Sequence, residues 1–534
     1  MAIMAMDMAN KINKKLLLLP LLLSAQLQAD EWTFEPNLGV TETYSNNVEL
    51  RANNPESSFV SQLIGGINAE YKSNSANGTF SGSKSYLNYS HDSELNDDYR
   101  TLNADGSFSL WSDGPVLVAT ASIDNISRND ADNSYSDIIS GDTIESERYG
   151  AGIQYNTGNS HYALQSSLMF NQVKTEDQLG ESEGYYFQLG AQNGNAARYA
   201  FWQLNSSYSN RKQNSYNSLT AGNDGEHYIV DAKIGAITSF AFNPFVRFYD
   251  EDVSGSAAGN GLDTTSAWGP GLRWLATPHI IIDLSYNFVA DKTVSDDYVA
   301  ANINWEPSAR TSLTAGYNKR FFGDSYQLDF SHRTRRLTNK ITYYESLEVF
   351  DRSNYQEVTS EFWCPVNDFE GNPADCFPVN QPPNNQGDYQ LIPVSGLILI
   401  ENNEYSLNKR LAWSSILKLS RTTFALNIAT NNRESLETKI LDDYYDASLK
   451  ATRKISPKSS LSLTGSFRHT IFDKNNPGGS RQEDYYRTVS STYSISLASS
   501  LLSNFTLRYI NRSSTVARYT YDEVRAALNI TKEF

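Results

Sequence analysis

The chain has 534 residues, with 44 Lys and Arg against 61 Asp and Glu, a formal net charge of −17 and a mean hydropathy of −0.50. That charge argues against nucleic acid as a partner, because phosphates are neutralised by a basic face. Two Cys exclude a disulfide scaffold or a multi-cysteine metal cluster. Past the N-terminus there is no apolar run of about 20 residues, which excludes a helical membrane bundle.

The chain opens with Lys11, Lys14 and Lys15, then Leu16-Leu-Leu-Leu-Pro-Leu-Leu-Leu23, a short polar stretch Ser24–Gln28 and Ala29. A basic region, a short apolar core and a small residue predict a secretory signal peptide over 1–29, cleaved after Ala29. The expected location is the outer membrane of a Gram-negative bacterium.

From residue 30 onward the sequence alternates apolar and polar residues in short stretches separated by Asn, Asp, Ser, Gly and Pro. The links are of two kinds. Ser73–Asn77, Trp111–Pro115, Thr157–Ser160, Ala276–His279 and Ser456–Ser459 are tight, and the links between them are longer and acidic or polar. Asn129–Glu147 carries Asp130, Asp132, Asp137, Asp142, Glu145 and Glu147. Carboxylates spaced as in Asp130, Asp132 and Asp137 suit a divalent cation, but the glycine and terminal glutamate of an EF-hand are missing, and a solvated external loop is the plainer reading.

Farther along, Ile282, Leu284, Tyr286 and Phe288 oppose Asp283, Ser285 and Asn287. A basic stretch follows, with Arg310, Lys319, Arg320, Arg333, Arg335, Arg336 and Lys340 against Asp324 and Asp329. It reads either as a cationic stripe in a lumen or as charges at a turn balanced across strands. Phe322-Gly-Asp-Ser-Tyr326 is similar to the nucleophile motif of certain secreted esterases but lacks their α/β context, so Gly323-Asp324 is read as a hairpin turn. The longest non-alternating stretch, 350–400, holds Cys364 and Cys376. In an oxidising compartment the two most simply form one disulfide, two free thiols being the alternative. The loop is expected either to cap the outside or to fold into the lumen.

Near the C-terminus, Tyr445, Ala447, Leu449, Ala451 and Ile455 share a face, as do Leu461, Leu463, Gly465, Phe467 and Ile471. The last stretch puts Val524, Ala526, Leu528, Ile530 and Phe534 opposite Arg525, Asn529, Thr531 and Glu533, with Lys532 the exception. A polar, charged second face is hard to bury in a sandwich core but lines a wet lumen. The prediction is therefore an all-β chain, a transmembrane antiparallel up-and-down β-barrel of about 22–24 strands over 30–534. The terminal Phe534 resembles the assembly signal of such barrels. The implied partners are outer-membrane lipid and the barrel-assembly machinery. No cofactor is expected. His91, His161, His227, His279, His332 and His469 show no metal-ligand spacing, and neither a catalytic motif nor a resident metal is predicted.

The opening Trp32-Thr-Phe-Glu-Pro-Asn-Leu-Gly-Val-Thr-Glu-Thr-Tyr-Ser-Asn-Asn-Val48 resembles a family of outer-membrane β-barrel proteins of PEP-CTERM/exosortase systems and exopolysaccharide loci. Tyr445–Phe472, Val489–Arg512 and the final strand from Tyr521 fit the same pattern. The resemblance implies a passive polar-lined pore for exopolysaccharide secretion or assembly, with the polymer and periplasmic export components as partners. A general or sugar-specific porin is the alternative, and a barrel enzyme acting on polysaccharide or lipid a third. In the opening stretch Glu42 falls on the apolar face, which implies a bulge or a strand end outside the membrane.

Overall fold

The computed structural model describes residues 31–127, 137–176, 181–213, 224–255, 264–290, 296–349, 354–365, 377–378, 389–400, 405–436, 439–475, 481–498 and 500–534. The predicted signal peptide, Asp130, Asp132 and Cys376 lie outside these residues, as does the side chain of Cys364.

Twenty-four antiparallel strands form one sheet that closes on itself. The first strand, Glu31–Ser45, pairs on one side with Ser58–Lys72 and on the other with the last strand, Tyr521–Glu533, from Asn37↔Glu533 to Ser45↔Arg525. Closure leaves no sheet edge and satisfies the backbone without water, as a bilayer requires. Successive residues of a strand point to opposite sides, so each strand presents one face outward and the other to the lumen.

Burial is inverted relative to a soluble protein. On the last strand Val524 is 47% exposed and Leu528 45%, whereas Glu523 is 1% and Arg525 7%. The largest fully buried side chains include Arg512, Glu251 and Glu523. Apolar side chains facing outward and charged ones packed inside are what a lipid-facing wall demands. Aromatics form two girdles. Trp32 stacks on Phe34 at 5.4 Å and lies 4.6 Å from Tyr71 near one end, and Tyr44 lies 5.1 Å from Phe59 near the other. Such rings suit the two membrane–water interfaces. The chain is an outer-membrane β-barrel.

At the end where the first strand begins and the last one finishes, every connection is a short turn, and the five tight links of the sequence all fall there. The opposite end carries the long connections 46–57, 128–142 and 350–404. This asymmetry puts the turn end in the periplasm and the loop end outside the cell.

Three sequence expectations are revised. Within 350–404, Asn354–Pro365 pairs with Tyr389–Ile400, and Phe377–Pro378 pairs with Phe362 and Trp363, forming a separate three-stranded sheet. The run Leu397-Ile-Leu-Ile400 explains it, since such residues favour strands. The hairpin near Gly323 turns on Phe321-Phe322, with Gly323 at φ +108° opening the next strand opposite Arg320. Glu42 needs no bulge. Its register with Ser61 is unbroken, and the Ser61 hydroxyl donates to its carboxylate at 2.7 Å on the outer face.

Candidate functional site in the barrel lumen

The wall from Asp224–Ala236 to Thr311–Arg320 is sharply curved, which brings lumen-facing side chains of separated strands together. Arg320 is four strands away from Glu251, on Phe242–Gly255. Strands are spaced at roughly 4.8 Å, so a gently curved wall would hold the two backbones about 19 Å apart along the arc. Instead Arg320 Nε donates to Glu251 Oε1 at 3.0 Å and Nη2 to the same oxygen at 2.5 Å. Tyr249 donates to Glu251 Oε2 at 2.8 Å, and His227 Nε2 lies 3.0 Å from Oε1. Glu251 is thus a fully buried charge with a complete set of partners, the condition under which a buried carboxylate is tolerated.

Two further contacts brace the same curve. Arg247 makes a two-pronged ion pair with Asp231 at 3.0 and 2.9 Å and donates to Asn318 Oδ1 at 3.0 Å. Asp283 accepts from Arg273 at 2.7 and 2.9 Å and from Lys233 at 3.0 Å. Small residues allow the close approach. A Cβ on Gly269 would sit 1.8 Å from the Tyr286 carbonyl oxygen, and one on Gly271 would strike the Phe245 ring. The curved wall borders a partly open cavity of about 650 Å³ lined by Lys233, Arg247, Arg273, Arg320, Asp231, Asp283, Glu345, Asn205, Asn302 and Asn304. With Glu251, which pairs with Arg320, four carboxylates meet the four cations, so the charges balance among amide donors and acceptors.

A second cluster closes part of the loop end. Val524, Leu507 and Tyr509 face outward, so Arg525 and Arg508 face the lumen. Arg525 Nη1 donates to Asp137 Oδ2 at 2.8 Å, and Arg508 Nη1 to the same oxygen at 3.5 Å. Asp137 belongs to the connection between Val116–Ser127 and Thr143–Gly158, and Val116–Ser127 is six strands around the wall from the strand that holds Arg508. That connection is therefore turned inward. Ser140 donates to Glu523 Oε1 at 2.9 Å, the Ser45 hydroxyl to the same oxygen at 2.6 Å, and the Tyr89 hydroxyl is 3.0 Å from the Ile139 carbonyl oxygen. Ile138 and Ile139 pack on Val48, Val60 and Leu87. Burial raises the Asp137 pKa, but Arg525, the Ile139 amide and Arg508 outweigh it and hold the carboxyl below its usual range.

The structure separates the residues of the basic stretch. Arg320 is the ion-pair partner of Glu251, whereas Arg310, Arg333, Arg335 and Arg336 are exposed at or beside turns of the periplasmic end. Lys340 lies exposed, 3.7 Å from Asp329, and Lys319 is half-buried at the opposite end of its strand. Phe534 follows the last strand, its ring exposed and its N–H donating to the Pro36 carbonyl at 2.9 Å. Lys532 bonds the Ser500 hydroxyl and lies 5.6 Å over the Phe534 ring. The segment Trp32–Val48 forms the first strand and the start of the loop after it. Arg508, Arg525 and Glu251 were not singled out by sequence. The available signal was a charge at a lumen-facing position of an alternating strand, and it does not name the partner.

No protein-family model and no curated protein sequence matches the chain. Among solved structures it is similar to the siderophore receptor PirA from Pseudomonas aeruginosa, at 9% identity over 95% of this chain and 81% of that one, TM-score 0.41. The siderophore receptor PirA from Acinetobacter baumannii gives 7% identity over 95% and 81%, TM-score 0.44. The FrpB iron transporter from Neisseria meningitidis gives 8% over 94% and 82%, TM-score 0.43. The expected passive exopolysaccharide pore, with its porin alternative, is corrected: the similar structures are siderophore and iron proteins. The lumen supplies a physical reason. A polymer conduit needs a continuous open bore, and here a salt-bridged segment is turned into it.

Proposed function

We propose that the chain is an outer-membrane transport protein for a small hydrophilic solute, with a lumen obstructed at rest. The observation that carries this reading is the inward 137–142 segment, tied by Asp137 to Arg525 and Arg508 on strands five and six positions around the wall. A barrel this wide would leak if left open, and large transport barrels carry material in the lumen for that reason. The cavity in the curved wall, with its paired charges and amide lining, suits a small hydrophilic solute better than a long polymer.

Planar-bilayer recording of the purified chain in KCl tests the proposal. The expected trace is closed or of very low conductance, with larger openings when the Asp137 anchor is removed. A steady, large conductance from the unmodified chain overturns it.

A further inference from the structure

We propose that Glu49, Glu56 and His91 form a site for a divalent first-row transition ion, such as Zn2+, at the extracellular rim. Glu49 and Glu56 stand on the 46–57 connection and His91 on the one that follows Ala76–Tyr89. One ligand atom from each of the three lies within 4.8 Å of the others. His91 Nε2 is 3.5 Å from Glu49 Oε1. Two ligand atoms about 2.1 Å from a tetrahedral ion stand roughly 3.4 Å apart, so the observed separation is that of two ligands sharing one ion. Glu56 is held by Arg51 through one carboxylate oxygen, with the other left to complete the set.

The second observation concerns the imidazole. Its side chain is only 13% exposed, and both ring nitrogens are buried without a hydrogen-bond partner. A buried polar atom left unpaired is costly, and an ion on Nε2 removes that cost for this nitrogen. Arg51 does not take up the whole site. It holds Glu49 through Oε2 at 2.6 Å and Glu56 through Oε1 at 3.1 Å, leaving each carboxylate its second oxygen. Asn47 fixes Arg51 in turn: it accepts from the Arg51 N–H at 2.9 Å and donates to the Asp522 carbonyl at 3.1 Å. The carboxylates are thus tied to the barrel rim before any ion arrives. One imidazole with two carboxylates selects a first-row ion over Ca2+ or Mg2+, which prefer oxygen-only shells. Bound there, the ion would pin two neighbouring external loops together.

The test uses the full chain folded in detergent micelles and stripped with EDTA, titrated with ZnCl2 by calorimetry and with CoCl2 by visible absorption. Saturable binding of one ion per chain is expected, with no heat from CaCl2. His91→Ala and Glu49→Gln should each weaken binding at least tenfold. Both variants should keep the heat-dependent gel mobility of a folded barrel, since the residues sit in loops. Absence of saturable zinc binding, preference for calcium, or unchanged affinity in folded His91→Ala would overturn the site.

Discussion

Asp137 and Arg525 are 388 residues apart in sequence, yet Arg525 Nη1 donates to Asp137 Oδ2 at 2.8 Å inside the barrel. Arg525 also bonds Glu523 at 2.9 Å, so losing Asp137 does not strand the arginine. Asp137→Asn should therefore free the 137–142 segment without unfolding the wall. The expected result is a several-fold rise in single-channel conductance with unchanged heat-dependent gel mobility. An unaltered conductance would show that this contact does not hold the obstruction.

The same pair sets a pH response. The folded-state pKa of Asp137 lies below its ordinary value of 3.8. The charged carboxylate therefore stabilises the docked loop at all pH values above 3.8, and that contribution disappears as pH falls through the lowered folded value. Conductance of the wild-type chain should be flat from pH 7 down to about pH 5 and should rise only under strong acid, below the ordinary aspartate range. A rise centred near neutral pH would point to another group.

Arg320 and Glu251 brace the curved wall, and the order of damage among their variants is predictable. Arg320→Met leaves Glu251 buried with a lost counter-charge, and breaking such a pair typically costs about 3–5 kcal/mol. The double variant Arg320→Met with Glu251→Gln removes both charges and should recover much of that loss. Thermal unfolding in detergent, followed by gel mobility, measures both. Equal destabilisation by the single and the double variant would mean that packing, not charge, sets the fold of the wall.

Much of the barrel was legible because alternation is a local property. Val524 to Phe534 shows which face meets lipid without knowledge of any neighbour. The tight links also gave the correct end, since turn residues act within a few positions. What could not be read was curvature. Arg320 meets Glu251 only because Gly269 and Gly271 let the intervening strands approach, and no period in the sequence encodes that contact. The Asp137 anchor was hidden for the same reason: an acidic run looks solvated until its partners appear on a wall far away in the chain. The sheet within 350–404 escaped notice because its prolines broke the alternation.

The outward face itself can be tested at one position. Val489 is 61% exposed and lies near the middle of Gln482–Ala498, paired with Tyr509 on the same outer surface. Arginine there would stand in hydrocarbon, costing about 2–4 kcal/mol near the bilayer midplane. Thr492, three residues on, faces the lumen, where its hydroxyl meets that of Thr506 at 3.1 Å. Arginine at that site stays in a polar interior, and its cost should be about 1 kcal/mol or less. Val489→Arg should therefore lower the yield of folded barrel in reconstitution into lipid vesicles, and Thr492→Arg should leave it near wild type. If the two substitutions were equally tolerated, or the lumen one were the worse, the assignment of inner and outer faces on this strand would be reversed.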